Sequence, residues 1–224
     1  RKYLIEVMGF KDGNIIYKEN AYKSDFEEIF GNANNEKGRL YNAVKPNRSD
    51  VFVFYAGHGA PGLNDQKGYF VPVNSSPQSV ELTGYPADVF YANLGKIPAR
   101  EVTVVLDACF SGAELLEGVS PIIVQSRGVR EIKNGALLAS SSDDQVSAWY
   151  TEKKHGLFTY FFLKGIHNAN ADINKDKKLT LAEIYQFVSD RAEGVPYYAR
   201  RYRNVEQIPS LDGDNTDRVL VEYK

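Results

Sequence analysis

The chain holds one cysteine in 224 residues, so no internal disulfide can form and its single thiol is free for other work. Histidine is also scarce, with three copies. No apolar run reaches the ~18 residues that a membrane span needs. Basic residues do not outnumber acidic ones, and the net charge of −2 implies no face built to hold phosphates, which argues against a nucleic-acid partner. No signal peptide is recognisable, although the chain begins at Arg1 and is compatible with a removed leader. These absences leave the compartment open and favour the cytoplasm. What is present is ordinary for a globular protein: 43% hydrophobic and 25% charged residues, and a length that fits one sizeable domain over residues 1–224.

The scarce residues sit at two matching places. Val102-Thr103-Val104-Val105-Leu106 is a short β-branched apolar run that ends abruptly in Asp107-Ala108-Cys109-Phe110-Ser111-Gly112. Such a run reads as a buried parallel strand, and its C-terminal end is where open α/β sheets place their chemistry. Val51-Phe52-Val53-Phe54-Tyr55 repeats the form and ends in Ala56-Gly57-His58-Gly59. If the two strands are parallel neighbours, His58 and Cys109 emerge at one sheet edge. A lone cysteine is more often a small buried hydrophobe, and a histidine in a turn is more often a solvated polar residue. Each closing a buried strand, the pair points to nucleophilic catalysis. The thiol becomes a thiolate, and the imidazole takes its proton and returns it to the leaving group. Side chains alternate along a strand, so Asp107 points to the same side as Cys109. A carboxylate buried there favours a cationic partner, Arg or Lys, because the partner restores the charge balance lost on desolvation. Otherwise Asp107 only caps the strand-to-helix turn.

These residues resemble the caspase-like cysteine peptidases, which carry His-Gly at one strand end and the nucleophilic Cys about 50 residues downstream. Asp107-Ala108-Cys109 and Tyr55-Ala56-Gly57-His58-Gly59 look closest to the metacaspase and bacterial caspase-like branch. The resemblance covers nearly the whole chain. It implies a caspase-hemoglobinase-like α/β sandwich, with a mostly parallel sheet flanked by helices. It implies backbone N–H groups of Gly59 and Cys109 as oxyanion donors, a second pocket acid at Asp144 or Asp143, cleavage after Arg or Lys, and protein or peptide substrates. Residues 113–134 fall where the family carries an inter-subunit linker, which makes Arg127, Arg130 and Lys133 candidate self-cleavage sites of a zymogen. It also implies that a first strand, inside the sheet, precedes the equivalent of Arg1, so a separate N-terminal fragment is expected to supply it. The chemistry itself requires no cofactor.

Elsewhere the patterns are coarser. Residues 2–8 read as the tail of a helix stopped by Gly9, and Ile15-Ile16-Tyr17 as a short strand. Ser24-Asp25-Phe26-Glu27 reads as a capping box opening a helix through Phe30, and residues 39–44 as a short helix. Residues 68–73 read as part of a hairpin off the main sheet, since Pro72 suits no central strand. Residues 74–86 read as loop, 87–94 as helix, 135–140 as a further buried strand, 157–165 as a buried helix and 218–223 as a final strand. His155 is assigned to a turn. Residues 212–217 read as an Asx-rich turn, and the Tyr/Arg-rich stretch 194–210 as a partner surface or a packed lid.

Residues 172–183 follow EF-hand ligand spacing: Asp172, Asn174, Asp176, Thr180 and Glu183 at positions 1, 3, 5, 9 and 12, with the Lys178 carbonyl at position 7. The ion would be Ca²⁺, and a helix follows over 181–192. Lys177 stands where the pattern has glycine, which costs a left-handed conformation and adds a positive charge. The rival is a degenerate loop that only caps the next helix. Three functional alternatives stay open beside the basic-specific endopeptidase. One is a catalytically silent caspase-like scaffold, one a calcium-responsive regulatory module, and one a peptidase preferring Asp or Asn at P1.

Overall fold

The computed structural model describes residues 1–65, 67–108, 130, 132–141 and 147–224. Its centre is β5 (Glu101–Asp107), buried at every position after the first. β5 pairs in parallel with β1 (Asp50–Ala56) on one side and with β6 (Gly135–Ala139) on the other. β10 (Ser210–Gly213) adds an antiparallel edge beyond β6, giving the order β1-β5-β6-β10. Strands covered on both faces need apolar residues at every position, which is why β5 and β6 read as continuous apolar runs. The sequence expectation of a mostly parallel sheet holds.

Successive side chains go to opposite faces, and each face has its own core. Val51, Val53, Val102, Val104, Leu106 and Leu137 face one side, where α2 (Lys23–Phe30) and α5 (Ala87–Lys96) bring Phe26 and Phe90. Phe26 stacks on Tyr85 at 5.3 Å, and Phe70 meets Phe90 edge-on at 4.9 Å. Val105, Ala136 and Leu138 face the other side, against α6 (Leu157–Ile166), α7 (Leu181–Ser189) and α8 (Val195–Arg203). Helix α6 is apolar on most of its circumference because it lies between the sheet and α7. On this same side, α1 (Lys2–Glu6) contributes Tyr3. The short helix α3 (Arg39–Ala43) is where the sequence suggested it.

Among the described residues, three smaller sheets accompany the central one. β2 (His58–Pro61), β3 (Gly68–Val71) and β4 (Tyr85–Pro86) form an antiparallel flap just past the end of β1. β7 (Trp149–Tyr150) and β8 (His155–Gly156) make a tight ribbon before α6. β9 (Lys178–Thr180) pairs with β11 (Val219–Glu222).

Several expectations need correction. Ile15-Ile16-Tyr17 joins no strand ladder among the described residues, although Ile15 has an extended backbone. The helix at 23–30 is entered two residues earlier than expected: the Asp25 carboxylate accepts from the Tyr22 N–H at 2.9 Å, so Tyr22 is the N-cap and Asp25 occupies N3, in place of Ser24 and Glu27. Residues 74–86 are not all loop, for they hold a 3₁₀ turn, α4 (Val80–Thr83) and β4. The helix after residue 180 stops at Ser189. Asp212 and Gly213 lie in β10 rather than in a turn, and the stretch 194–210 supplies α8 and the approach to β10. The last strand joins β9, not the central sheet. Among the described residues the four central strands pair without a gap, and β1 is outermost on its side.

One side chain ties the C-terminal ribbon to the sheet. Arg218 is 4% exposed and donates from Nη1 to the Val102 carbonyl at 2.9 Å and to Thr103 Oγ1 at 3.2 Å. Its Nη2 reaches the carbonyls of Asn134 (2.9 Å) and Asp214 (2.6 Å), and its Nε that of Asn215 (2.9 Å). Burial lowers its guanidinium below the usual value, yet an arginine keeps its charge at neutral pH. We expect Arg218→Ala to cost about 3 kcal/mol in a urea unfolding titration, because it orphans several buried carbonyls at once. Arg218→Lys should recover less than half of that loss, since an ammonium cannot copy the planar fork.

Candidate active site

β1 and β5 are parallel and end together, with Ala56 opposite Asp107. The two following segments therefore leave the sheet side by side. The Gly57 N–H donates to the Asp107 carbonyl at 3.1 Å, which carries the ladder one step past the last paired residues. His58 follows at once as the first residue of β2, exposed and paired with Val71. The Tyr55 hydroxyl donates to the His58 carbonyl at 2.8 Å. Burial raises the Tyr55 hydroxyl well above its usual value, so it stays a donor. Its ring sits edge-on against Phe70 at 4.8 Å. A Cβ on Gly57 would lie 2.5 Å from the Tyr55 hydroxyl oxygen, so only glycine leaves room for this brace. Nothing in the sequence pattern singled out Tyr55, or its demand for a glycine at 57.

Asp107 is 7% exposed. Its Oδ2 accepts from the Thr159 N–H at 3.1 Å and the Thr159 hydroxyl at 2.5 Å, in the first turn of α6. Burial raises its carboxyl above the ordinary carboxylate range, while the Thr159 and Ser140 hydrogen bonds pull it back down. Gly156 packs so closely that a Cβ there would fall 2.1 Å from Asp107 Oδ2. Asp107 thus anchors the start of α6, whereas the turn directly after β5 that the sequence reading had it cap lies outside the described residues; it does so as a desolvated acid at the C-terminal edge of the sheet.

The wall beyond β6 is built from residues the sequence did not single out. The Ser140 N–H donates to the Leu106 carbonyl at 2.8 Å. Gln207, fully buried, accepts from the Ala148 N–H at 2.8 Å and donates to the Ser140 carbonyl at 2.9 Å. One glutamine so fastens both ends of the segment that contains Asp143 and Asp144. No periodicity marks such a residue; only tertiary contact does. Arg203 adds a bond from Nε to the Trp149 carbonyl at 3.0 Å.

Cys109, Asp143, Asp144 and Arg127 lie outside the described residues. Of the other linker candidates, Arg130 pairs with Asp212 at 3.2 Å while remaining largely exposed, and Lys133 is exposed. His155 is exposed and lies in β8, paired with Tyr150 in the short ribbon before α6, rather than in a turn.

Residues 172–183 form a compact loop at the far end of α6. Lys177 takes the left-handed conformation, φ +66°, in place of a glycine. Its N–H donates to Asp172 Oδ2 at 2.9 Å. Asn174 Oδ1 and Asp176 Oδ1 accept from the N–H groups of Asp176 and Lys178, both at 2.8 Å. Thr180 and Glu183 form a capping box on α7. Two oxygens have no such partner: Asp172 Oδ1 and Glu183 Oε1 are buried and unbonded among the described residues.

The profile of the caspase domain, peptidase family C14, matches residues 17–220. The chain therefore belongs to the caspase domain family of cysteine peptidases. Among solved structures it is similar to the crystal structure of caspase-1 from Spodoptera frugiperda, with a TM-score of 0.54 and 15% identity. That match covers 100% of this chain and 78% of the insect one, and at such identity it shows the fold. A search of curated protein sequences returned no match. No helix among the described residues is long and apolar enough to cross a membrane.

The burial of Asp107 has a pH signature. A carboxyl raised in the folded state holds its proton more tightly there than in the unfolded chain. Below the ordinary carboxyl range both states are protonated and the burial has no pH-dependent cost. The penalty sets in as pH rises through that range and is complete above the raised folded value. Asp107→Asn should therefore raise the melting temperature at pH 7, with an advantage that vanishes near about pH 3. Paired thermal melts of the two proteins across this range check it.

Proposed function

We propose that this chain is a cysteine endopeptidase that cleaves after Arg or Lys. The observation that carries the reading is Asp107, a carboxylate buried at the C-terminal end of β5, one ladder position from the strand that delivers His58. A desolvated acid at this edge is costly alone and is compensated when a cationic side chain arrives. An aspartate or asparagine side chain would offer it no such compensation. Asp144 and Asp143 are the proposed second acids of the same pocket.

The proposed chemistry runs in two halves. His58 takes the Cys109 proton, and the thiolate attacks the carbonyl carbon after the basic residue. The backbone N–H groups of Gly59 and Cys109 hold the resulting oxyanion. The tetrahedral adduct collapses, the C–N bond breaks, and His58 gives its proton to the leaving amine. An acyl-enzyme thioester remains. Water, deprotonated by His58, then attacks it, releases the acid product and restores the thiol. The Tyr55 brace fixes the main chain of His58, so the imidazole pivots from a held backbone. The exposed Arg130 and Lys133 have the residue type this pocket would accept, which fits self-processing within 113–134.

The test is hydrolysis of fluorogenic peptides bearing Arg, Lys, Asp or Asn at P1. We expect turnover of the Arg and Lys peptides only, its loss in Cys109→Ala, and a fall in kcat of about 10²–10⁴-fold in His58→Ala. Turnover confined to Asp or Asn peptides would overturn the pocket assignment. Turnover that survives Cys109→Ala would overturn the nucleophile.

A further inference from the structure

The loop at 172–183 holds an unsolved electrostatic problem. Asp172 Oδ1 and Glu183 Oε1 are each buried with no hydrogen-bond partner among the described residues. A buried carboxylate oxygen without a partner is destabilising, because it has lost its water and gained nothing in return. The described ion pairs include neither residue. The lysines at 175, 177 and 178 are exposed instead of turning inward to neutralise them. The other oxygens of the same two carboxylates are well used, Asp172 Oδ2 by the Lys177 N–H and Glu183 Oε2 by the capping box. Each acid thus has one oxygen fixed by the chain and one left over. The two lie at the first and twelfth positions of the loop, and the twelfth is on α7.

We propose that residues 172–183 bind one hard divalent cation of the calcium class, with Asp172 Oδ1 and Glu183 Oε1 as its anionic anchors. Among the described residues no three acidic or imidazole side chains converge as a ready cage. Such a cation takes six to eight oxygens of mixed kinds, so two carboxylates with amide, main-chain carbonyl and water oxygens suffice. Asn174, Asp176 and the Lys178 carbonyl are the nearest sources in the loop.

The cation's role is to hold the C-terminal part of the fold together. The Ala171 N–H donates to the Gly165 carbonyl at 3.0 Å, and the Tyr223 hydroxyl to the Ile166 carbonyl at 2.8 Å, so the loop and the end of β11 both grip the C-terminus of α6. The Leu181 N–H donates to the Arg218 carbonyl at 3.0 Å, which links the start of α7 to the start of β11. A cation joining residues 172 and 183 would close this assembly. The ten-residue helix α6 separates it from Asp107 by about 15 Å, so the site takes no part in the chemistry. Tyr223 is close enough to report on it, since its N–H donates to the Lys177 carbonyl at 2.8 Å.

The experiment uses the full chain carrying Cys109→Ala, so that any self-cleavage cannot confuse it. Melting is followed in EDTA, in Ca²⁺ and in Mg²⁺ at about 1 mM each. Terbium is added separately, with emission excited through tyrosine. We expect Ca²⁺ to raise the melting temperature by about 5 °C, and more than Mg²⁺ does. Terbium emission should fall in Tyr223→Phe. Asp172→Asn should abolish the Ca²⁺ shift and raise the melting temperature in EDTA, because it removes an unpaired buried charge. Lys177→Gly should tighten Ca²⁺ about tenfold by relieving the left-handed lysine and its charge. The proposal is overturned if wild type and Lys177→Gly both melt identically in EDTA and Ca²⁺, or if the Ca²⁺ shift survives Asp172→Asn. Either result leaves the peptidase reading untouched, since that reading is tested by Cys109-dependent hydrolysis and not by melting.

Discussion

The parallel, in-register pairing of β1 with β5 is the constraint on which the rest depends. Parallel strands that end at one level must release their following segments at one edge. Here that level is Ala56 beside Asp107. Everything the candidate site uses is referred to it: Gly57 bonded across to the Asp107 carbonyl, His58 starting a flap one residue later, and Ser140 bonded to the Leu106 carbonyl on the opposite side. A shift of either strand by one residue would turn its side chains to the other face. Asp107 would then point into the core that holds Phe26 and Phe90, with no donor there to meet it.

The two-faced core makes that register hard to lose, and it also sets the terms on which a charge can sit at the edge. Leu106 and Asp107 are adjacent, one turned to each core. Asp107 therefore emerges against the first turn of α6, where free N–H groups of a helix start favour an anion. Thr159 supplies both its main-chain and side-chain donors. Those bonds moderate the desolvation of the carboxyl without cancelling it. The fold thus tolerates an acid that it does not fully satisfy, and sites that act on charged substrates share that property.

What was legible in the sequence follows from how locally each element is determined. β1, β5, β6 and α6 were readable because strands and helices buried on several sides need unbroken apolar runs, and such runs are visible without knowing the partner. β10 was not, because Ser210-Leu211-Asp212-Gly213 has one large apolar residue; it is a strand only by virtue of pairing with Leu137 and Leu138. Ile15-Ile16-Tyr17 fails in the opposite way, with strand propensity and no neighbour to pair with among the described residues. At the site, His58 and Asp107 were found because each closes an apolar run. Thr159 and Gln207 were not, since a hydrogen bond between residues 52 or 67 positions apart leaves no periodic trace, and Tyr55, only three residues from the carbonyl it braces, reads as one more member of its apolar run. The positions of Cys109, Asp143 and Asp144 lie outside the described residues, so sequence alone speaks for them.

Arg218 and the 172–183 loop show two solutions to one problem. The C-terminal ribbon lies off the central sheet and must be fastened to it by polar groups. At its start this is done inside the protein: a guanidinium that burial discourages is offered carbonyls from the bases of β5 and β6 and from its own turn. Its charge is met by dipoles rather than by a carboxylate, a workable arrangement because five planar donors can each find an oxygen. A few residues away the signs are reversed. Asp172 and Glu183 present negative oxygens with too few N–H groups to meet them, and the lysines nearby stay in solvent. A chain that answers a buried cation with five acceptors, yet leaves one buried oxygen of each of two carboxylates unmatched among the described residues, carries an imbalance, and the proposed cation is the group that would restore the balance.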